Sequence, residues 1–355
     1  METLRLERIT LKVEILAPLH IGDGTDLEPL EYVIVDGYLY KIDTASFLSS
    51  LEPESANELN ALLKGNMDRV TLVKIRKFVQ EHFKPEGNFI WKSRVTPTIE
   101  RLYKERLGAP ENQVLVYPFI RSGDRPFLPG SSLKGAIRTA LLNYWANELW
   151  SVKDDRNSRL TEAEILKATF TSKDNRLKPS IEKDPLKALR VEDVFLPEDS
   201  TIFAKVSNWN LSKEGILKET KIQMIRELTL SSVSDAKALE LDVYISLDNR
   251  FLKHNHSGLG RRDLSIKNIL DACNSFYRRV LLDEKKRFFD KTSPEIASIY
   301  KKINDEGGTL LRIGWASGFD SMTITKFRNK HQPWGRSKHL AEAKFPMGWV
   351  KLSLP

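Results

Sequence analysis

The chain of 355 residues contains a single cysteine, Cys273, and no long run of apolar residues. One cysteine excludes an intramolecular disulfide and a cysteine-rich metal site. The longest apolar runs, such as residues 140–142, fall far short of the ~20 residues that cross a bilayer. Residues 1–5 lack the charged and then apolar profile of a secretion signal. We therefore expect a cytoplasmic protein in a reducing setting, with no membrane association.

The charge of the chain is uneven along its length. The whole sequence has 56 basic and 48 acidic side chains, a net charge of +8. Residues 1–60 carry a net charge of −8, so the remaining residues carry a net charge of +16. Clusters of Lys and Arg gain affinity for a polyanion by releasing condensed counterions, which favours a nucleic-acid partner. An ordinary solvated surface on a slightly basic protein accounts for the composition equally well.

Hairpin signals recur along the chain, and strand and helix patterns mix without strict alternation. Residues 4–15 alternate as a strand with one slip at Arg8, which predicts a bulge. Asp36-Gly37 predicts a tight turn between two strands within residues 31–42. The fold class is therefore α+β with mostly antiparallel sheets. The other predictions tested below are a strand at 94–103, helices at 131–150 and about 265–290, and a helical insertion at about 151–187.

The most informative segment is Leu128-Pro-Gly-Ser-Ser-Leu-Lys-Gly-Ala-Ile-Arg-Thr139. It is typical of a strand, a Pro-Gly turn and a helix with Ser131 at its N-cap. A helix start presents unpaired N–H groups and the positive end of the helix dipole, which suit a phosphate. Lys134 and Arg138 lie on one face, and Gly135 leaves room for close approach although it costs a helix about 1 kcal/mol. An ordinary capped helix with two surface cations is the alternative. The spacing is not that of a Walker A loop.

Three segments resemble known signatures. Leu128–Thr139 resembles the signature of the RAMP superfamily of CRISPR-associated proteins. Pro18–Gly24 is similar to the segment after the first strand in that family, and Leu311–Phe319 is similar to its C-terminal glycine-rich loop. The matches lie near the start, the middle and the end, so the resemblance spans most of the chain. The length, the hairpin that begins at Glu31 and the terminal segment Phe345–Lys351 look most like the fifth subunit of the Csm (type III-A) effector.

The resemblance implies two ferredoxin-like (RRM-like) units. We place the first at residues 1–208, including the insertion, and the second at 209–355, including the glycine-rich loop. The resemblance also implies a non-enzymatic RNA-binding subunit that caps the backbone filament at the 3′ end of the guide RNA and supports guide maturation. The implied partners are the CRISPR guide RNA, the target RNA, the neighbouring Csm backbone and small subunits, and host nucleases that trim the guide. We expect no cofactor and no metal.

The resemblance further implies which residues contact the guide backbone. They are Gly130, Ser131, Ser132, Lys134, Gly135 and Arg138 in the central signature, His20 and Gly22 in the first loop, and Gly314, Ser317 and Gly318 in the last loop. From the residues alone, Trp315 suits base stacking as well as a place in the core. Four arginines are further candidates for RNA contact, with solvated surface cations as the alternative: Arg121, Arg125, Arg261 and Arg262.

The first loop also contains residue types that suit catalysis, namely His20, Asp23 and Asp26. In the RAMP family, backbone subunits use an aspartate of a comparable loop to cleave target RNA, so an endoribonuclease is the alternative function. The other interpretation is a turn whose Asp side chains accept local hydrogen bonds. His254 and His256 share a strand face but lack further metal ligands. The equivalent subunit of a Cmr-type complex is a further alternative. We expect no catalytic residue.

Overall fold

The computed structural model describes residues 6–108, 114–148, 158–234, 238–248, 262, 264–327 and 335–355. The helices are α1 Thr44–Ser49, α2 Pro53–Lys64, α3 Arg69–His82, α4 Pro97–Arg106, α5 Gly130–Trp145, α6 Ser158–Ile165, α7 Ile266–Glu284, α8 Pro294–Asp305 and α9 Gly318–Met322. The strands are β1 Leu6–Ile15, β2 Tyr32–Val35, β3 Tyr38–Ile42, β4 Phe89–Val95, β5 Val116–Tyr117, β6 Arg121–Ser122, β7 Arg125–Leu128, β8 Thr169–Thr171, β9 Leu177–Pro179, β10 Leu189–Val191, β11 Val194–Phe195, β12 Thr201–Leu211, β13 Leu217–Thr229, β14 Leu239–Asp248, β15 Thr309–Arg312, β16 Ser337–Ala341, β17 Phe345–Pro346 and β18 Trp349–Ser353.

The first large sheet has the strand order β10-β14-β1-β18-β15, and all its neighbouring strands are antiparallel. The β1–β14 register runs without a shift from Leu6 opposite Asp248 to Ile15 opposite Leu239. The bulge predicted at Arg8 is therefore wrong. The first residues of β1 are exposed, so the irregular pattern there reflects the exposed end of the strand rather than a change in its pairing.

The second large sheet has the order β17-β16-β12-β4-β3-β2, with β13 beside β12 and β5 beside β13. Its pairs are antiparallel except for β12 with β4 and β13 with β5. Asp36 and Gly37 have φ of 50° and 77°, as a tight hairpin turn between β2 and β3 requires. The predicted hairpin, the α+β class and the antiparallel character of the sheets are thus confirmed.

The main core lies where α5 and α7 cover the first sheet. Leu133, Ile137 and Leu141 form the buried stripe of α5, as the 3.6-residue periodicity predicts. The hydroxyl of Tyr277 on α7 donates a hydrogen bond of 3.0 Å to the carbonyl oxygen of Ala136 and fixes the two helices to each other. No helix among the described residues is both long and apolar enough to cross a membrane.

Two predicted segments differ from the structure. The strand predicted at 94–103 is wrong beyond Val95, because Pro97 begins α4. Proline favours the first position of a helix, where its fixed φ fits and its missing N–H costs nothing. The insertion contains α6 and the β8–β9 hairpin over its described part, which begins at residue 158. Both large sheets take strands from both sides of residue 208, and the domain boundary there stays a prediction.

Candidate nucleic-acid interface

The start of α5 is shaped by packing against the end of β10. An ideal Cβ at Gly130 would lie 2.1 Å from the carbonyl oxygen of Val191, so only glycine fits there. Pro129 is the N-cap residue, and the Gly130 N–H donates a hydrogen bond of 2.7 Å to the carboxylate of Asp193. The predicted cap at Ser131 is therefore wrong. The helix start that was expected to receive a phosphate is next to a carboxylate of the chain itself.

The two cations of the central signature point to the chain rather than to open solvent. The Lys134 ammonium donates a hydrogen bond of 2.7 Å to the carbonyl oxygen of Leu189, and burial lowers the pKa of Lys134. Arg138 forms ion pairs with Asp184 at 2.7 Å and with Glu162 at 3.4 Å. Both side chains thus tie α5 to the segment from α6 to β10. Contact of Lys134 and Arg138 with RNA stays a prediction. It requires both side chains to exchange their present partners in the chain for groups of the RNA.

The three segments singled out in the sequence line one open cleft of about 760 Å³. Its walls are the loop after β1, one face of α5 and the loop after β15, which are more than 100 residues apart in the chain. The predicted residues that line the cleft are His20, Gly22, Ser132, Gly135, Gly314, Trp315 and Ser317. The fold therefore brings these segments together into one site.

The glycine-rich loop is fixed onto the first loop by backbone contacts. Gly314 has φ of 80°, and a Cβ there would lie 2.5 Å from the carbonyl oxygen of His20. That carbonyl accepts a hydrogen bond of 2.8 Å from the Trp315 N–H. The Ser317 hydroxyl donates a hydrogen bond of 2.6 Å to the Gly314 carbonyl and closes the turn before Gly318, whose φ is 77°. Glycine at position 314 is thus required by the close approach of the two loops.

His20 belongs to the wall of the cleft but is buried, with 1% of its surface exposed. Its Nδ1 lies 2.8 Å from the Glu227 carbonyl oxygen, and its Nε2 lies 2.9 Å from the Arg226 guanidinium. A carbonyl only accepts and a guanidinium only donates, so the ring is neutral with its proton on Nδ1. Burial and then the Arg226 charge lower the pKa of His20 to about 4. A Cβ at Gly22 would lie 3.0 Å from Nε2, so glycine leaves room for the ring.

Arg226 on β13 also lines the cleft, and the sequence analysis missed it. Its guanidinium carbon lies 3.7 Å from the ring centre of Trp315 and 4.3 Å from that of Tyr117. Burial lowers the pKa of Arg226 to about 10, which leaves the group charged at neutral pH. Trp315 also packs against the His339 ring at 4.6 Å. Base stacking on Trp315, which stays a prediction, therefore requires Arg226 or His339 to move.

Arg121 and Arg125 have different surroundings. Arg121 forms two hydrogen bonds of 2.7 Å to the fully buried carboxylate of Glu227 and lies 3.7 Å from the ring centre of Trp91. Its guanidinium is therefore part of the core between β4 and β13. Arg125 is exposed and lies over the exposed ring of Phe195 at 4.5 Å. Of these two arginines, Arg125 is the one accessible to a ligand.

The second basic loop falls mostly outside the described residues. Arg261 lies outside them, as do His254 and His256. The Arg262 side chain is 2% exposed and donates to the Ile165 carbonyl and to the Glu148 carboxylate. Arg262 thus joins the end of α6 to the turn after α5. Its expected contact with RNA stays a prediction, and it conflicts with this burial.

The two aspartates of the first loop are exposed. Asp23 accepts hydrogen bonds from the N–H of Thr25 at 2.9 Å and from its hydroxyl at 2.6 Å. The bond from the Thr25 hydroxyl is the main cause that lowers the pKa of Asp23. This is the turn with local hydrogen bonds to Asp that the sequence offers as the alternative to a catalytic loop. Among the described residues, no group of three or more His, Cys, Asp and Glu side chains has a geometry that holds a metal ion.

Sequence comparison assigns the family. The profile of the RAMP superfamily matches residues 12–319, which include all three segments that line the cleft. The chain belongs to the RAMP superfamily. The family resemblance of the three segments is therefore confirmed. The wrong details concern local structure, namely the bulge at Arg8, the helix cap and one strand, rather than the family.

Two curated relatives of this RAMP protein have the name CRISPR system Cms protein Csm5. The protein of Methanocaldococcus jannaschii is 28% identical over an alignment of 326 residues that covers 88% of this chain and 72% of that protein. The protein of Streptococcus thermophilus is 30% identical over an alignment of 151 residues that covers 41% of this chain and 40% of that protein. The resemblance to the fifth Csm subunit is thus confirmed as a similarity of sequence.

Two solved structures share the fold of this RAMP protein. A chain of the cryo-EM structure of a Csm–crRNA–target RNA ternary complex of a type III-A CRISPR–Cas system has a TM-score of 0.71 and 21% identity, covering 98% of this chain and 100% of that chain. The crystal structure of T. onnurineus Csm5 has a TM-score of 0.68 and 22% identity, covering 96% of this chain and 99% of that chain. Structural similarity at 21–22% sequence identity shows that the three proteins share a fold.

Proposed function

We propose that this RAMP protein is an RNA-binding structural subunit of a type III-A Csm effector. Two relatives have the name Csm5, and one structure of the same fold is a chain of a complex of Csm proteins with crRNA and target RNA. The proposed partners are therefore the guide RNA, the target RNA and the neighbouring Csm backbone and small subunits. The proposed location is the cytoplasm, where such a complex meets its RNA.

One observation carries this proposal: three distant segments build a single open cleft with a charged arginine inside it. The cleft offers backbone groups, small residues and a cation rather than a closed pocket shaped for one base. Such a surface suits the sugar-phosphate backbone of RNA, whose contacts position the nucleic acid and leave the reading of sequence to base pairing.

The finer role of the subunit is also a proposal. We place the protein at the end of the backbone filament that holds the 3′ region of the guide, where it supports guide maturation by trimming nucleases of the host. We propose that it is not itself a nuclease. The neutral, enclosed ring of His20 and the local hydrogen bonds of Asp23 support this, because neither side chain is poised to move a proton of RNA.

The fold supports one ferredoxin-like unit. The first sheet has β10, β14, β1 and β18 side by side, with α5 between β1 and β10 in the chain and α7 between β14 and β18. This is the order of a β-α-β-β-α-β arrangement. We propose that β1, α5, β10, β14, α7 and β18 form that unit, and that the second sheet is the basis of the other.

A single sample read in two ways tests RNA binding and cleavage. The purified protein is mixed with end-labelled single-stranded RNA and Mg²⁺, binding is followed by fluorescence polarisation across a salt series, and the same samples are run on a denaturing gel. We expect salt-sensitive binding and uncut RNA. Cleavage that survives repurification and is lost in Asp23→Ala or Asp26→Ala would instead establish the endoribonuclease alternative.

The place in the assembly needs a second experiment. The tagged protein is purified from its natural host, and its neighbours are identified by mass spectrometry after crosslinking. We expect crosslinks to one backbone subunit and to the 3′ region of the guide. Neighbours of the Cmr type would contradict the type III-A assignment, and crosslinks to several successive backbone subunits would contradict a place at the end of the filament.

A further inference from the structure

Arg226 differs from the other arginines around the cleft in its electrostatic surroundings. Arg121 is paired with Glu227, Arg138 with Asp184, and Arg312 with Glu284. Within the part of the chain that the structure describes, no carboxylate forms an ion pair with Arg226, whose terminal nitrogens instead contact His20 Nε2 and Met224 Sδ. A half-buried charge without a counterion is costly, so the site favours an anion that comes from outside the chain.

The surroundings of Arg226 also determine which part of the group a ligand can reach. Trp315 and Tyr117 cover the guanidinium by cation–π contacts, and the pairing of Arg226 with Tyr117 across β13 and β5 fixes the second ring. His20 accepts one N–H, and Met224 Sδ lies 3.8 Å from the other terminal nitrogen. The Nε is buried as well, so the part of the guanidinium left for a ligand is the edge formed by its two terminal nitrogens. Each of these nitrogens has a second N–H that can donate to an oxygen of a phosphate.

We propose that Arg226 binds a backbone phosphate of RNA in the cleft, and that His20 is a positioning residue that holds the guanidinium edge toward it. The inference rests on the proposed function and adds the binding residue and its ligand, a phosphodiester group. Neutral His20 accepts an N–H of Arg226 without neutralising its charge, whereas a carboxylate in the same place would compete with the phosphate. Such a site recognises the RNA backbone rather than the RNA sequence, because a contact with phosphate does not depend on the base.

Four variants test the proposal by polarisation with labelled single-stranded RNA of two unrelated sequences, across a salt series. Arg226→Gln should weaken binding about tenfold or more for both sequences and lower the slope of log affinity against log salt by about 0.7. Arg226→Lys should keep the slope and lose part of the affinity, because an ammonium lacks the planar fork. His20→Leu should lower the affinity with an unchanged slope, since the charge of Arg226 remains. His20→Gln, whose amide oxygen can accept the same N–H, should recover part of the loss.

Arg8 provides the matched control. Its guanidinium lies 4.3 Å from the ring centre of Tyr244, the same distance as Arg226 from Tyr117, but it pairs with Glu192 and does not line the cleft. Arg8→Gln should leave affinity and slope at the wild-type values. Thermal midpoints and circular dichroism verify folding. If Arg226→Gln fails to fold, the affinity of Arg226→Lys decides, and wild-type affinity there would overturn the proposal.

The failure of the inference and the failure of the proposed function give different results. If the wild type binds RNA and a folded Arg226→Gln variant binds with the same affinity and slope, Arg226 is not a phosphate ligand, although the protein remains an RNA-binding subunit. If the wild type binds no RNA, alone or assembled with its neighbours, the proposed function itself is wrong. A loss in Arg226→Gln for only one of the two RNA sequences would contradict phosphate recognition.

Discussion

The N–H of Gly130 donates to the Asp193 carboxylate at 2.7 Å, so the first turn of α5 already contacts an anion of the chain. Pro129, the N-cap residue, has no side-chain group that accepts such a bond. Asp193 therefore replaces the usual cap from another part of the sequence. This contact satisfies the first N–H of α5 without a phosphate.

Removal of this acceptor should destabilise the protein. We expect Asp193→Ala to lower the free energy of unfolding by about 1 kcal/mol, the usual effect of losing a helix cap with its favourable charge. Urea denaturation followed by circular dichroism measures the difference. Asp193→Asn is the matched control, because it keeps an oxygen acceptor and should lose less. Equal stability of the wild type and Asp193→Ala would show that the bond contributes nothing.

Gly135 and Gly130 should respond in opposite ways to the same substitution.

 
An ideal Cβ at Gly130 meets the Val191 carbonyl oxygen at 2.1 Å, whereas a Cβ at Gly135 meets nothing within 4 Å. Gly130→Ala must shift α5 or β10 and should cost about 3 kcal/mol or more. Gly135→Ala should raise the free energy of unfolding by about 1 kcal/mol, because alanine is the better helix former. Urea denaturation of both variants tests this.

Gly135 also lines the cleft, so the same variant tests its predicted contact with RNA. A methyl group there occupies space that the RNA backbone would use. We expect Gly135→Ala to bind RNA several-fold more weakly than the wild type, in spite of its higher stability. Polarisation with single-stranded RNA measures the affinity. If Gly135→Ala binds as tightly as the wild type, Gly135 is not in contact with RNA.

Arg121 should be important for stability rather than for RNA binding. The carboxylate of Glu227 is fully buried, and besides its two bonds from Arg121 it accepts bonds from the Phe119 N–H at 2.8 Å and the Thr201 hydroxyl at 2.7 Å. Arg121→Gln leaves this charge without its cation and should cost about 3–5 kcal/mol in unfolding free energy. Chemical denaturation measures the loss.

A second substitution provides the control for Arg121→Gln. Replacing Glu227 by Gln in the same chain removes the unpaired charge, so the double variant should be more stable than Arg121→Gln alone. The salt slope of RNA binding should be the same in the wild type and in the folded double variant. A lower slope there would mean that Arg121 contacts phosphate after all.

The sequence was sufficient for features that depend on local pattern. Asp36-Gly37 predicted its turn because few residue pairs adopt two positive φ angles in succession. The stripe of α5 predicted its buried face, and the three motifs predicted segments that the fold brings into one cleft. Local pattern failed at Pro97, where a helix start was taken as the middle of a strand.

The rest of the site depends on contacts between distant residues, which no local pattern contains. Arg226 alternates with buried neighbours on β13 as many strand residues do, and only the pairing with Tyr117 and the approach of Trp315 place it in the cleft. Likewise, Lys134 and Arg138 have the spacing of a phosphate site, but Leu189 and Asp184 take up their hydrogen bonds. Sequence spacing shows which side chains share a face and leaves open what that face meets.

The glycine-rich loop is connected to a buried ionic cluster behind it. The Glu284 carboxylate contacts Arg312 at 2.5 Å and also Lys338, and the Tyr300 hydroxyl donates to it at 3.1 Å. Arg312 in turn donates a hydrogen bond of 3.1 Å to the Ala316 carbonyl oxygen in the loop. Burial alone would raise the pKa of Glu284, but the charges of Arg312 and Lys338 outweigh it and lower that pKa to about 2.

This lowered pKa predicts how stability changes in acid. A carboxyl whose pKa is lower in the folded than in the unfolded protein stabilises the fold above its unfolded pKa, and this contribution is lost as pH falls through the folded value. For Glu284 the loss should therefore extend from about pH 4.5 down to about pH 2. Glu284→Gln should be less stable than the wild type at neutral pH and should lose less stability between these pH values. Thermal midpoints against pH measure this, with Glu295→Gln, an exposed partner of Lys344, as the control that should follow the wild type. Parallel curves for the wild type and Glu284→Gln would show that Glu284 does not titrate with folding.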